Sequence, residues 1–156
     1  YKDIHLVLAG PDENMYPTLK ALVQKNKLES RVHIISFLEN IERSQALHGC
    51  GFLVIPSRHD AMSIVVLEAG LASKPVLITK QAGFSIIERI NGGVVCNADV
   101  ESLTSGVSNL LEMNEQQLNE LGNNLFFFVK ENYTWDVIVK KVENLYEKLI
   151  PKITIG

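Results

Sequence analysis

Short apolar blocks alternate along this chain with longer stretches whose apolar residues recur at helical spacing, and few folds accommodate that order. Strand, helix, strand, helix is the pattern of a parallel sheet with crossover helices. The blocks are residues 4–9, closed by Gly10 and Pro11, then 32–35, 52–55, 76–78 and 94–96. Apart from His5 and His33 they are apolar, as strands covered on both faces are. Between them, Met15, Leu19, Leu22 and Val23 define one face of a helix reaching about Asn26. A short helix is expected over 41–48, with Asn40 as N-cap and Gly49 at its end. Ser63 is placed to cap the next, through about Ala72, and Ser85 with Glu88 has the spacing of a capping box. Asp99 caps a helix carrying Val100, Leu103, Val107, Leu110 and Leu111. Asn114 with Gln117 opens one carrying Leu118, Leu121 and Leu125. Thr134 opens the last, with Trp135, Ile138, Val142, Leu145 and Leu149 as its apolar stripe and Pro151 as its stop. The expected fold is α/β: one doubly wound, Rossmann-like parallel sheet of about five strands over residues 1–150, with 151–156 as a loose tail.

Composition removes several classes of partner. Fifteen Lys and Arg against eighteen Asp and Glu leave a net charge of -3 over 156 residues. No general basic field exists to hold nucleic acid or anionic lipid, so neither is expected as a partner. No apolar stretch approaches the roughly 18 residues of a spanning helix, and a signal peptide's basic and apolar regions are absent from the sequence. Cys50 and Cys96 form neither a disulfide framework nor a paired metal spacing, which favours a reducing compartment. A cytoplasmic location is expected, with peripheral membrane contact left open for a full-length protein. The first residue is Tyr1, two residues before an apolar run, and the expectation is a piece of a longer chain.

Ligands of open α/β sheets bind beyond the carboxyl ends of the strands. The richest loop there runs from Pro56 through Ser57, Arg58, His59, Asp60, Ala61 and Met62 to Ser63. The helix after it is apolar nearly all round, with Glu68 in its middle. A buried carboxylate must be protonated, meet donors, or lie on a face that opens to a cleft. A ligand rich in hydroxyls would supply donors. Asp60, eight positions earlier, lies at the helix mouth, where backbone amides favour a phosphate or diphosphate. By itself Asp60 also reads as an ordinary loop or capping residue. Arg58 and Lys80 could offset diphosphate charge or be solvated cations. His5 and His33 read as core or edge residues, His48 suits a helix C-terminus, and Trp135 reads as packing. His59 adjoins the site loop.

Pro56-Ser57, Asp60, seven residues, Glu68-Ala69-Gly70 and then Lys74-Pro75-Val76 resemble the signature of family 4 (group 1) retaining glycosyltransferases of the GT-B fold. Leu6 to Gly10, Val32 to Phe37 and Tyr133-Thr134-Trp135 are similar to that family's C-terminal, donor-binding domain in order and spacing. The resemblance implies a transferase of the hexosyltransferase class that takes a nucleotide diphosphate sugar as donor, without a metal or other cofactor. It places Asp60 on the donor sugar as the catalytic carboxylate and Glu68 on the ribose hydroxyls. Ala61, Met62, Ser63 and Ile64 fall where backbone approaches sugar and phosphate, and Gly10 and Phe37 fall on loops lining the nucleotide. The family's first donor-domain strand, its diphosphate-gripping Arg and Lys, and its N-terminal acceptor domain would precede Tyr1, so the isolated chain is expected to be inactive. Asp60 stands where the family has Glu, and Ala61 and Ser63 where it has glycine. A non-catalytic interaction or regulatory domain with a decayed sugar site is therefore the alternative. A phosphoacceptor receiver would need Asp at the end of the third strand, where Pro56 stands.

Overall fold

The computed structural model describes residues 3–149. Their elements run β1 (Leu6–Ala9), α1 (Tyr16–Lys25), β2 (Val32–Ile35), α2 (Asn40–Gly49), β3 (Leu53–Ile55), α3 (Ile64–Leu71), β4 (Val76–Thr79), a 3-10 turn (Lys80–Ala82), α4 (Ile86–Arg89), β5 (Gly93–Cys96), α5 (Val100–Glu112), α6 (Glu115–Asn132) and α7 (Trp135–Leu149). Every expected strand is present, with small changes of boundary: Ile4, His5 and Phe52 fall outside, while Thr79 and Gly93 join. All pairings are parallel, which establishes the Rossmann-like α/β class. The strands form two sheets, β1-β2 and β3-β4-β5, where one was expected.

Two compact units result, one reaching to Arg43 and the other starting at Ser44. In the first, β1 and β2 pair from Leu6 with Val32 to Ala9 with Ile35. Asp12 Oδ1 accepts from the backbone N–H groups of Met15 and Tyr16, both at 3.0 Å, and so satisfies donors that the start of α1 would otherwise leave open. Leu19 and Val23 are half-buried on α1, whereas Met15 and Leu22 are exposed. His5 and His33 are not core residues: both are exposed, and they bond to each other, Nδ1 to Nε2, at 3.0 Å.

In the second unit β4 is the middle strand, and Val76, Leu77 and Ile78 have no exposed surface. Side chains alternate between the faces of a strand. Val76 and Ile78 accordingly join Val66, Ala69, Leu125 and Val129 on one side. Leu77 joins Cys96, Leu110 and Leu121 on the other. Helices on both faces are the reason the β4 sequence is uninterrupted by polar residues until Thr79.

The capping expectations divide. Asn114 and Gln117 form a reciprocal capping box, each backbone N–H bonded to the other's side chain at 2.9 Å. Asp99 accepts from Ser102 N–H at 2.7 Å and from its hydroxyl at 2.9 Å. Ser63 occupies the N-cap of α3, but its side chain does not cap; its carbonyl takes the Val66 N–H at 3.1 Å instead. Ser85 has helical backbone and no capping bond, since α4 is a four-residue turn whose N-terminus never adopts the extended geometry of a cap. Asn40 lies inside α2, and Glu39 accepts the first helical bond, from Arg43 N–H. Thr134 turns its hydroxyl back to the Lys130 carbonyl. The packing role read for Trp135 is also corrected: it is 83% exposed, and α7 buries none of its described residues.

The backbone and hydroxyl bonds from Ser102 hold the Asp99 carboxyl below its ordinary pKa. A depressed carboxylate contributes stability that is present above the unfolded value and lost as pH falls through the folded one. The stability advantage of the wild type over Asp99→Ala should therefore shrink with acidification below the ordinary aspartate range, as measured by urea unfolding at stepped pH. An advantage constant down to pH 2 would mean that the charge contributes nothing.

Candidate functional site

Three segments lie beyond the carboxyl ends of strands in the second unit: the loop 56–63 after β3, the turn Lys80–Ala82 with Gly83 after β4, and 97–99 after β5. The first two are bonded together. The Thr79 hydroxyl donates to the Ser57 carbonyl. Asp60 N–H donates to the Gln81 carbonyl at 3.0 Å. Within the loop, Ser57 Oγ accepts from His59 N–H at 3.3 Å and Asp60 Oδ1 accepts from Met62 N–H at 3.1 Å. Asp60 thus forms an Asx turn that fixes its own carboxylate at the mouth of α3.

Residues three and four apart share a helix face. On α3 one face carries Val66, Ala69 and Gly70, all buried. Gly70 lies so close to α6 that a Cβ there would be 2.7 Å from Val129 and 3.0 Å from Leu125. Ile64, Glu68 and Leu71 share the other face; Ile64 and Leu71 are exposed and Glu68 is half-buried. The apolar helix packs as its sequence implies, against the sheet through Val76 and Ile78 and against a neighbour, α6, while its other face stays partly open. Glu68 is thus not a fully buried carboxylate.

Ala61 and Met62 are exposed, whereas Ser63 is 8% exposed and sits behind the loop. Arg58, His59 and Lys80 are exposed, with Lys80 opening the 3-10 turn. Gly10 and Phe37 belong to the first unit, directly after β1 and two residues after β2, and Phe37 is 57% exposed. A Cβ on Gly10 would meet nothing within 4 Å, so no crowding requires glycine there. No group of three or more His, Cys, Asp or Glu side chains of metal-binding geometry occurs among the described residues, and no described helix is long and apolar enough to cross a membrane. Cys50 and Cys96 are free thiols, and burial pushes the Cys50 thiol above its ordinary pKa.

Sequence reasoning missed the tie between the two loops. The available signal was Thr79, a hydroxyl closing an otherwise apolar strand.

The parallel α/β scaffold is shared, as a fold, with solved glycosyltransferases. Anabaena HepE in complex with UDP-glucose superimposes with a TM-score of 0.81 at 17% identity, over 95% of this chain and 42% of that one. The C-terminal domain of the group 1 glycosyl transferase LpcC from Francisella tularensis does so with a TM-score of 0.74 at 17% identity, over 86% of this chain and 72% of that one. Residues 1–113 match the family Glycosyl transferases group 1, and the chain belongs to that family. An uncharacterized glycosyltransferase of Methanocaldococcus jannaschii, MJ1178, is 30% identical over 149 residues, 94% of this chain. This chain spans 36–41% of the length of that relative and two other curated ones.

Proposed function

We propose that this chain is the donor-binding half of a retaining glycosyltransferase, which moves a sugar from a nucleotide diphosphate sugar to an acceptor held by the rest of the protein. One observation carries the reading: Asp60, fixed by its Asx turn, and Glu68, on the open face of α3, stand on consecutive segments beyond the carboxyl end of β3. Glu68 suits a vicinal diol, since a carboxylate accepts two hydroxyl donors with two oxygens. Asp60 is placed for the sugar. The α3 N-terminus, with Arg58 and Lys80, would counter the diphosphate, so the reading needs no metal. Gly10 and Phe37 are assigned to the nucleotide. The name of HepE's complex, with UDP-glucose, and that of LpcC's C-terminal domain support the donor role and the placement in the second half of a two-domain enzyme. The alternative, a domain whose sugar site has decayed, draws on Asp60 being a methylene shorter than Glu and already bonded to Met62.

Calorimetric titration of the full-length protein with UDP, GDP and ADP and their glucose, mannose and N-acetylglucosamine conjugates separates the two. The enzyme reading expects one conjugate to bind without added divalent ion and to be turned over by the full-length protein, while the 156-residue chain transfers nothing. Binding of none of them would overturn it.

A further inference from the structure

We infer that Thr79 and Gly83 are positioning residues, which set where the 60–63 backbone faces the donor sugar; the inference rests on the donor-site reading above. Thr79 is too buried to touch a ligand, and Gly83 has no side chain with which to hold one. Thr79 has no exposed surface and ends β4, the middle strand, where it pairs with Cys96 of β5. Its hydroxyl donates to the Ser57 carbonyl, so the start of the loop is pinned to the best-covered strand of the unit. Two residues on, the Gln81 carbonyl receives Asp60 N–H at 3.0 Å.

Gly83 completes the clamp by lacking a side chain. Its φ is +74°, and a Cβ there would lie 2.2 Å from the Ala61 carbonyl oxygen, 2.8 Å from its carbon and 3.2 Å from the Asp60 carbonyl oxygen. The clash would be with backbone, so no rotamer change relieves it. Either the turn or the loop must move by about an ångström, a displacement that can cost roughly 10²-fold where reacting groups are aligned. Ser57 and Asp60 are thus each bonded to a different group of the segment 79–83, and the Ala61 carbonyl lies where only glycine leaves room for it. The order-giving part of the loop is its main chain, and the second loop is its template.

The test uses the full-length protein and the variants Thr79→Val, Thr79→Ser and Gly83→Ala. In the ligand-free state, amide hydrogen exchange at Asp60 and Met62 should rise about tenfold in Thr79→Val and at least as much in Gly83→Ala, with β4 amides unchanged. Thr79→Ser, which keeps the hydroxyl, should restore it. For whichever of the glucose, mannose and N-acetylglucosamine conjugates of UDP, GDP and ADP the wild type binds, the affinity gained over the free nucleoside diphosphate should fall about tenfold in the first and third variants. The diphosphate alone, which meets only the phosphate-facing part of this backbone, should lose less affinity than the conjugate. Unchanged exchange in the loop, or raised exchange with the sugar-dependent gain intact, overturns the inference. Raised exchange in a protein whose wild type binds none of that panel overturns the donor-site reading and leaves the clamp standing.

Discussion

Glu68→Gln in the full-length protein is expected to weaken both the donor and its free nucleoside diphosphate at least about tenfold, or roughly 1.4 kcal/mol. Gln preserves the shape of the side chain on the open face of α3 and removes the charge, and charge-assisted hydrogen bonds are worth about 1.5–3 kcal/mol. Asp60→Asn should behave differently. Asn keeps an Oδ1 to accept from Met62 N–H, so the Asx turn survives. If Asp60 faces only the sugar, diphosphate binding stays nearly unchanged and donor turnover falls. Calorimetry with the diphosphate and steady-state kinetics with the complete donor read the two effects apart. Equal weakening of the diphosphate by both substitutions, or normal turnover in both, would sink the assignment of the pair.

Leu125→Ala should be among the most damaging single truncations to the stability of the second unit. Leu125 has no exposed surface and lies in the core cluster with Val66, Ala69, Val76 and Ile78, in a place where α6 and α3 approach closely at Gly70. Truncating such a leucine removes its transfer free energy and leaves a cavity, about 2–5 kcal/mol together. Native domains have only about 5–15 kcal/mol in all. At about 2–4 °C per kcal/mol for chains of this size, the midpoint should drop by roughly 5–20 °C. Trp135→Ala in the same 156-residue chain is the contrast: at 83% exposure it should change stability by no more than about 0.5 kcal/mol. Thermal unfolding of the two variants side by side checks both, and a larger loss at Trp135 than at Leu125 would contradict the packing described here.

What could be read from the sequence was what is decided locally. The strands were legible as short apolar blocks, and 32–35 matched to the residue, although only β4 is covered on both faces throughout. Asp99 and Asn114 were legible as caps because their partners, Ser102 and Gln117, lie three positions on. Ser63 and Ser85 carry the same local signal, yet neither caps. At Ser63 the backbone carbonyl takes the bond, and at Ser85 the backbone is already helical. The apolar stripe of α7 was correctly periodic, but periodicity does not say whether anything covers it. His5 and His33 meet although 28 positions separate them, a proximity that strand register creates and composition cannot announce. In the candidate site, Asp60 and Glu68 could be picked out because both fall on one loop and its helix. The clamp from Thr79 to Gly83 could not, because it spans two crossover units and works through carbonyls and a missing side chain.

The way that clamp is built bears on how such a site could change its substrate. Both of its hydrogen bonds to the loop are to main chain, the Ser57 carbonyl and the Asp60 N–H, and its close approach at Gly83 is to the Ala61 carbonyl. Side chains from Arg58 to Met62 are therefore not needed to hold the loop in place, Asp60's own turn excepted. Substitutions among Arg58, His59, Ala61 and Met62 can alter what the loop presents without altering where it stands. Selection, or a mutant library, can search donor preference there at little cost to the fold, while the positions that fix the frame lie on the next strand and turn, outside the varied segment.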